Sequence, residues 1–241
     1  MYSTAALDAH DRIAARAQDL RDAFRPGGIP LNRDVAGSAR VLPSTDPLSA
    51  TLPPGAWLVT RGDDGRRTYT RDGALTLAAG TLRTHDGAEV LGYPGGEARG
   101  TVPVPLRVAA TDRALGRAEN ARLEPDGTVA YERAAIDPRT GTRGAERVVV
   151  GRVALATFPA GTQPDRLDAA RVTAPAGVAP HLGTPADGTF APLTAFSREA
   201  GSVDIDAGVE RLNEAYRQFE ALGAAVRTRA SVEKTTLDLV K

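Results

Sequence analysis

The sequence predicts a mainly β protein with terminal α-helices: a β-rich central domain flanked by N- and C-terminal coiled-coil-forming helices. Three observations carry this. The last 36 residues hold a heptad seam, the first two dozen hold a shorter one, and the stretch between them alternates with period two between Asp-Gly turns. The expected division is 1–28 with 202–241 as paired terminal helices, 29–56 as a connector, and 57–201 as a β-rich outer domain.

The C-terminal seam steps three and four through Val209, Leu212, Tyr216, Phe219, Gly223, Val226, Ala230, Glu233, Leu237 and Val240. Eight of these ten positions are apolar or aromatic, and no proline follows Pro192. That is the spacing of a helix packed lengthwise on other helices. At about 1.5 Å per residue it spans roughly 50 Å, too long to bury inside a domain of this size. Asp204 or Asp206 is placed to cap it.

The N-terminal seam runs Ala6, His10, Ile13, Ala17, Leu20 and Phe24, with charged residues between, and Pro26-Gly27-Gly28 ends it. A helix of about 20 residues is marginal alone in water. Two matching seams at opposite ends of one chain are expected to pair with each other.

Residues 29–56 carry five prolines and little periodicity, with one short strand expected at 38–42. From Trp57 short strands alternate with turns: Trp57 to Thr60, Arg67 to Thr70, Ala74 to Leu77, Thr81 to Thr84 and Glu89 to Leu91. Further strands are expected at 102–108, 121–124 and 128–132, and as one long run at 147–158. The stretch 159–196, with six prolines, is expected to be loop-rich and to lie over the surface. The Asp-Gly pairs at 72, 86, 126 and 187 are expected to be hairpin turns with positive φ at glycine.

Composition narrows the function. Thirty basic and thirty acidic residues leave no net charge, which points away from nucleic acid. There is no cysteine, so disulfides and thiolate sites are excluded. No apolar run is long enough for a transmembrane helix, so membrane insertion is not expected. The charged N-terminus lacks an apolar core, so a cleavable secretory signal is not expected. His10, His85 and His181 lie apart, without metal-ligand spacing, and no nucleophile elbow or phosphate loop occurs. No catalytic residue, metal or cofactor is expected. Arg61-Gly62-Asp63 is the tripeptide read by some adhesion receptors, and Tyr69-Thr70-Arg71 would suit a contact surface.

Four pieces in order are specific: Gly55-Ala56-Trp57-Leu58-Val59, then Tyr69-Thr70-Arg71-Asp72-Gly73-Ala74-Leu75, Gly80-Thr81-Leu82, and Asp86-Gly87-Ala88-Glu89-Val90-Leu91-Gly92. They resemble the signature block of the bacterial flagellar rod and hook family. Downstream, Leu123-Glu124-Pro125-Asp126-Gly127-Thr128-Val129 and Gly151 to Phe158 resemble its later strands. Glu199-Ala200-Gly201-Ser202-Val203-Asp204 resembles its lead into the C-terminal helix, and Tyr216-Arg217-Gln218-Phe219-Glu220 a motif inside it. Ala17 to Ala23 resembles a worn form of the N-terminal motif. Gln18, Asp19 and Asp22 stand where the family has asparagines, and Tyr216 and Leu222 stand where it has polar residues.

The resemblance implies a structural axial subunit of the flagellar basal-body rod, nearer to the rod members than to the hook protein. It implies self-assembly through the terminal helices, transmission of torque, and export through the flagellar apparatus. The implied partners are copies of itself, other rod and hook subunits, and the export machinery. The implied assembly residues are Ile13, Ala17, Leu20, Phe24, Val209, Leu212, Tyr216, Arg217, Phe219, Glu220, Val226, Leu237 and Val240. The hairpin motif of the outer domain is Trp57, Tyr69, Thr70, Arg71 and Gly73. The other reading is a soluble β-rich binding or adhesion module that oligomerises through its helices.

Overall fold

In a computed structural model, residues 4–94, 102–114, 120–136 and 143–239 are described. Helix α1 spans Thr4–Asp22, and a 3-10 turn covers Arg33–Val35. The strands begin with β1 (Val41–Pro43), β2 (Ala50–Thr51), β3 (Trp57–Arg61), β4 (Arg67–Thr70), β5 (Leu75–Ala78), β6 (Thr81–Thr84) and β7 (Glu89–Tyr93). Then come β8 (Val104–Pro105), helix α2 (Ala110–Ala114), β9 (Arg122–Leu123), β10 (Thr128–Ile136), β11 (Arg143–Val153) and β12 (Leu155–Thr157). The last are β13 (Asp165–Arg166), β14 (Arg171–Thr173), β15 (His181–Gly183), β16 (Thr194–Ala195), β17 (Ser197–Glu199) and helix α3 (Ile205–Leu239).

Thirteen strands form one curled, antiparallel sheet. Its main path runs β13-β14-β4-β3-β7-β11-β10-β9, with β5, β6 and β8 joined through β7 and with β12 linking β3 to β15. The meander expected from residue 57 is thus present, and the chain is mainly β with a helix at each end.

The central strands are buried on both faces, so they carry apolar and threonine side chains on each side. On β3, Leu58 joins the larger core with Leu75, Leu82, Val90, Leu106, Val129 and Leu155. Its neighbour Val59 points the other way, into a second core with Tyr69, Leu91, Tyr93 and Val172. Thr60 is affordable inside because its hydroxyl meets that of Thr68 at 2.8 Å across the strand pair. Phe158 caps the second core edge-on, its ring 5.2 Å from Tyr69 and 6.2 Å from Trp57. A third, small core of Ala23, Val35 and Val203 sits at the root of the two terminal helices.

Four sequence expectations need correction or refinement. The run at 147–158 is two strands. β11 pairs with β7 through Arg152 and Val153, whereas β12 pairs with β3, so the chain changes neighbour at Ala154. Ala154 itself donates to Leu91 and accepts from Val59, which bridges the two partners. Second, 159–196 is not all loop. β14 extends the sheet beyond β4, and β15 pairs with β12. These strands are two or three residues long, too short for period two to register. Third, the connector holds two strands rather than one: β1 pairs with β17 and β2 with β16. Pro43 is tolerated because β1 is an edge strand of a two-stranded sheet. Fourth, the expected strand at 102–108 shrinks to Val104–Pro105.

Candidate assembly interface

The two terminal helices lie against each other, antiparallel. The end of α1 meets the start of α3: Gly201 N donates to Ala23 O at 3.1 Å, and Arg16 and Arg211 both pair with Asp34. A Cβ on Gly208 would lie 2.8 Å from Leu20 Cδ2, so a larger residue there would require the leucine side chain to shift. Asp204 caps α3, its Oδ1 accepting from Asp206 N and Ala207 N at 3.1 Å each. Helix α1 has 19 residues and α3 has 35. At 1.5 Å per residue, roughly 24 Å of α3 runs on past the end of α1. Every residue from Ala224 to Val232 is correspondingly exposed.

The inward face of α3 is not the expected seam. Gly208 and Ala215 are buried and Leu212 half-buried, while Val209, Tyr216 and Phe219 are exposed. On α1, Ile13, Ala17 and Leu20 are half-buried, but Phe24 lies outside at 73% exposure. Arg217, Glu220 and Val226 are also exposed. Val240 and the side chain of Leu237 lie outside the described residues. Of the apolar side chains expected to pair α3 with α1, Leu212, Ile13, Ala17 and Leu20 are half-buried, whereas Val209, Tyr216 and Phe219 face outward and the small Gly208 and Ala215 are buried in their place.

The worn N-terminal motif also has intrachain partners. Asp19 is fully buried, its Oδ1 accepting from Leu31 N at 2.5 Å and Asn32 N at 3.2 Å, and its Oδ2 from Asn32 Nδ2 at 2.6 Å. Asp22 accepts from Gln18 Nε2 at 2.9 Å and from Arg166 Nη2 at 3.2 Å. Burial pushes the Asp22 carboxyl up, with the Gln18 hydrogen bond and Arg166 opposing. These acids fasten α1 to the chain that follows it and to β13.

Below the helix root, the Tyr-Thr-Arg motif departs from its expected place. Tyr69 and Thr70 are buried rather than on a contact surface. The Thr70 hydroxyl donates to Ala170 O at 2.7 Å, and the Tyr69 ring fills the second core. Arg71 points inward. Its Nε donates to Glu199 Oε1 at 2.5 Å, and its Nη2 donates to Glu199 Oε2. Its Nη1 reaches Ala56 O at 2.6 Å and Pro53 O at 3.2 Å, and Nη2 also reaches Leu52 O at 3.3 Å. One guanidinium thus joins the hairpin, the connector and the segment leading into α3. Gly27 N donates to Glu199 O at 3.0 Å, which adds the end of α1 to the same joint. Two motifs far apart in sequence, Tyr69-Thr70-Arg71 and Glu199 to Asp204, meet here.

Gly73 corrects the turn expectation. Gly87, Gly127 and Gly188 do have positive φ, but Gly73 does not. It is required because a Cβ there would lie 1.8 Å from Ala50 O. Its aspartate, Asp72, is buried and accepts from Ala74 N at 2.9 Å and His85 N at 3.2 Å. Desolvation wins over these bonds and raises its pKa to about 6. The native state therefore holds this proton longer than the unfolded chain does. Its contribution to stability is full below the ordinary carboxylate range and is lost as pH rises through about 6. Two pKa units correspond to about 3 kcal/mol. Urea midpoints measured from pH 4 to 7 should fall for the wild type relative to Asp72→Asn by a difference of that order.

Arg61, the first residue of the adhesion-like tripeptide, is tied to Glu89, its Nε donating to Oε2 at 3.0 Å. Among the described residues, no group of three or more His, Asp or Glu side chains could hold a metal ion, and no helix is long and apolar enough to cross a membrane. No protein-family model matches the sequence, and no curated protein matches it significantly.

Proposed function

We propose that this chain is a structural, axial subunit of the bacterial flagellar basal-body rod, one that assembles through its terminal helices. The observation that carries the reading is the unequal helix pair. Helix α3 outruns α1 and keeps Val209, Tyr216, Phe219 and Val226 exposed along its length. Single exposed apolar residues need no explanation, but a row of them on one helix favours burial against other helices. The motifs that resemble the rod and hook family supply the assembly in which such burial occurs. The joint at Arg71 supports a load-bearing role, because it ties the helix pair to the sheet through a desolvated ion pair and short backbone contacts.

On this reading the work is mechanical. The helices stack with those of neighbouring subunits, the sheet forms the outer layer, and torque passes through packing. Export goes through the flagellar apparatus, and the subunit resides in the periplasm-spanning rod. The deciding experiment is cross-linking in basal bodies isolated from the source bacterium, with a photoreactive residue at position 226. Cross-links to another copy or to a rod or hook subunit are expected; absence of the chain from the basal bodies overturns the reading.

A further inference from the structure

One face of the sheet carries a row of arginines with too few acids to match. Strand registers pair Arg67 with Arg61, Arg61 with Glu89, and Glu89 with Arg83, across β4, β3, β7 and β6. Directly paired residues share a face. Arg107 joins the row, since it bridges to Thr81, two residues from Arg83 on the same strand. Three arginines thus gather around one carboxylate, and Arg67 stands beside them opposite Arg61. Glu89 is saturated: Arg61 binds Oε2, while Arg83 and Arg107 reach Oε1 at 3.4 and 3.3 Å. Arg67 and Arg107 remain exposed.

The pairing of Arg67 with Arg61 is the second observation. Like charges directly opposite each other across two strands destabilise a sheet. Among the described residues, Arg67 bonds the Tyr69 hydroxyl and Arg83 also donates to Gly87 O at 2.6 Å, so carboxylate partners are fewer than guanidinium groups along this row. Each guanidinium has five donors in a planar fork suited to carboxylates, and most of these are unused by Glu89.

The opposite surplus lies at the root of α3. Among the described side chains, Asp34, Asp204, Asp206, Glu210 and Glu214 are exposed there beside Arg16, Arg40 and Arg211, five carboxylates against three arginines. An open cavity of about 350 Å³ is formed there, with Gly37 and Ser38 on one side and Asp204 and Asp206 on the other. Helix α3 starts here, and its N-terminal half is paired with α1.

We propose that the arginine row is a docking surface for a second copy of this chain, and that it receives the acidic root of that copy's α3. The surfaces differ, so the contact is heterologous and propagates from copy to copy without closing on itself. The proposal rests on the chain being an assembling subunit and adds to it a contact outside the helices. Guanidinium–carboxylate pairs between exposed surfaces are screened by salt, so the contact weakens as ionic strength rises.

The test is sedimentation equilibrium of the full chain in about 20 mM and about 500 mM salt. Self-association of the wild type should weaken at least about tenfold at the higher salt. Arg67→Glu with Arg107→Glu should weaken it as much at low salt, and so should Asp206→Arg with Glu210→Arg. All four substitutions together should return it to within about threefold of wild type, because the charges are exchanged rather than lost. Arg67→Glu alone should leave the melting temperature equal or higher, since it removes a repulsion; a purely structural role for Arg67 requires a fall. An association constant within about twofold of wild type for the arginine variant overturns the proposal, as does failure of the fourfold variant to recover. If Val226→Asp abolishes association while the arginine variant does not, helical assembly stands and this contact falls. The converse leaves this contact standing and removes the helical one. A wild type that stays monomeric at every concentration overturns both.

Discussion

Arg71→Ala should cost about 3–5 kcal/mol of folding stability. Glu199 is 4% exposed, and its carboxylate is held by two guanidinium hydrogen bonds. Removing the arginine leaves that charge desolvated and unpaired. It also strips a donor from the carbonyls of Leu52, Pro53 and Ala56. The penalty comes from orphaning buried groups, not from the intrinsic strength of the pair. The comparison that shows this is Arg71→Met with Glu199→Leu, which removes both charges. It should lose clearly less than the sum of the single variants and restore part of the midpoint lost by Arg71→Ala. Urea denaturation followed by far-UV circular dichroism measures both. A loss below about 1 kcal/mol for Arg71→Ala would mean that water reaches Glu199 and that the joint is not closed.

The same joint shows what could be read from the chain. The strands from Trp57 to Tyr93 were legible because turns punctuate them and their side chains alternate. Glu199 and Arg71 were each legible as parts of motifs, but not as partners. They are separated by 128 residues, and spacing carries no information on contacts that a fold closes at such range. The helices were legible in extent and misread in register. Counting large apolar residues selects Val209, Leu212, Tyr216 and Phe219; Leu212 does face inward, but its inward neighbours are Gly208 and Ala215. Small residues are what allow close approach, and a hydrophobicity pattern gives them no weight. Asp19 and Asp22 were visible as departures from a family motif. Their burial was not, because a carboxylate that captures backbone N–H groups of a following turn looks like any surface acid in sequence. Gly73 was assigned to the wrong cause for a related reason: a glycine needed for positive φ and one needed for space read alike.

That misreading of register decides which substitution isolates assembly. The seam points to Phe219 as a site for aspartate, but Phe219 is only 40% exposed. Its covered part serves this chain, so a carboxylate there would disturb folding and assembly together. Val226 is 53% exposed and lies on the part of α3 that outruns α1. Valine and aspartate have similar helix propensities, so Val226→Asp should change the stability of the monomer by no more than about 0.5 kcal/mol. In an assembled helix layer the same position loses its water, and an unpaired carboxylate there costs several kcal/mol at each contact. The cost recurs in every copy, so under the proposed rod function the expected result is loss of incorporation into rods and of swimming, with an unchanged melting temperature. Val226→Ile should incorporate normally, which separates the charge effect from a change of shape. Normal incorporation of the aspartate variant would mean that α3 beyond α1 stays in water. The exposed row on that helix would then be an ordinary solvated face, and the assembly surface would have to lie on the sheet.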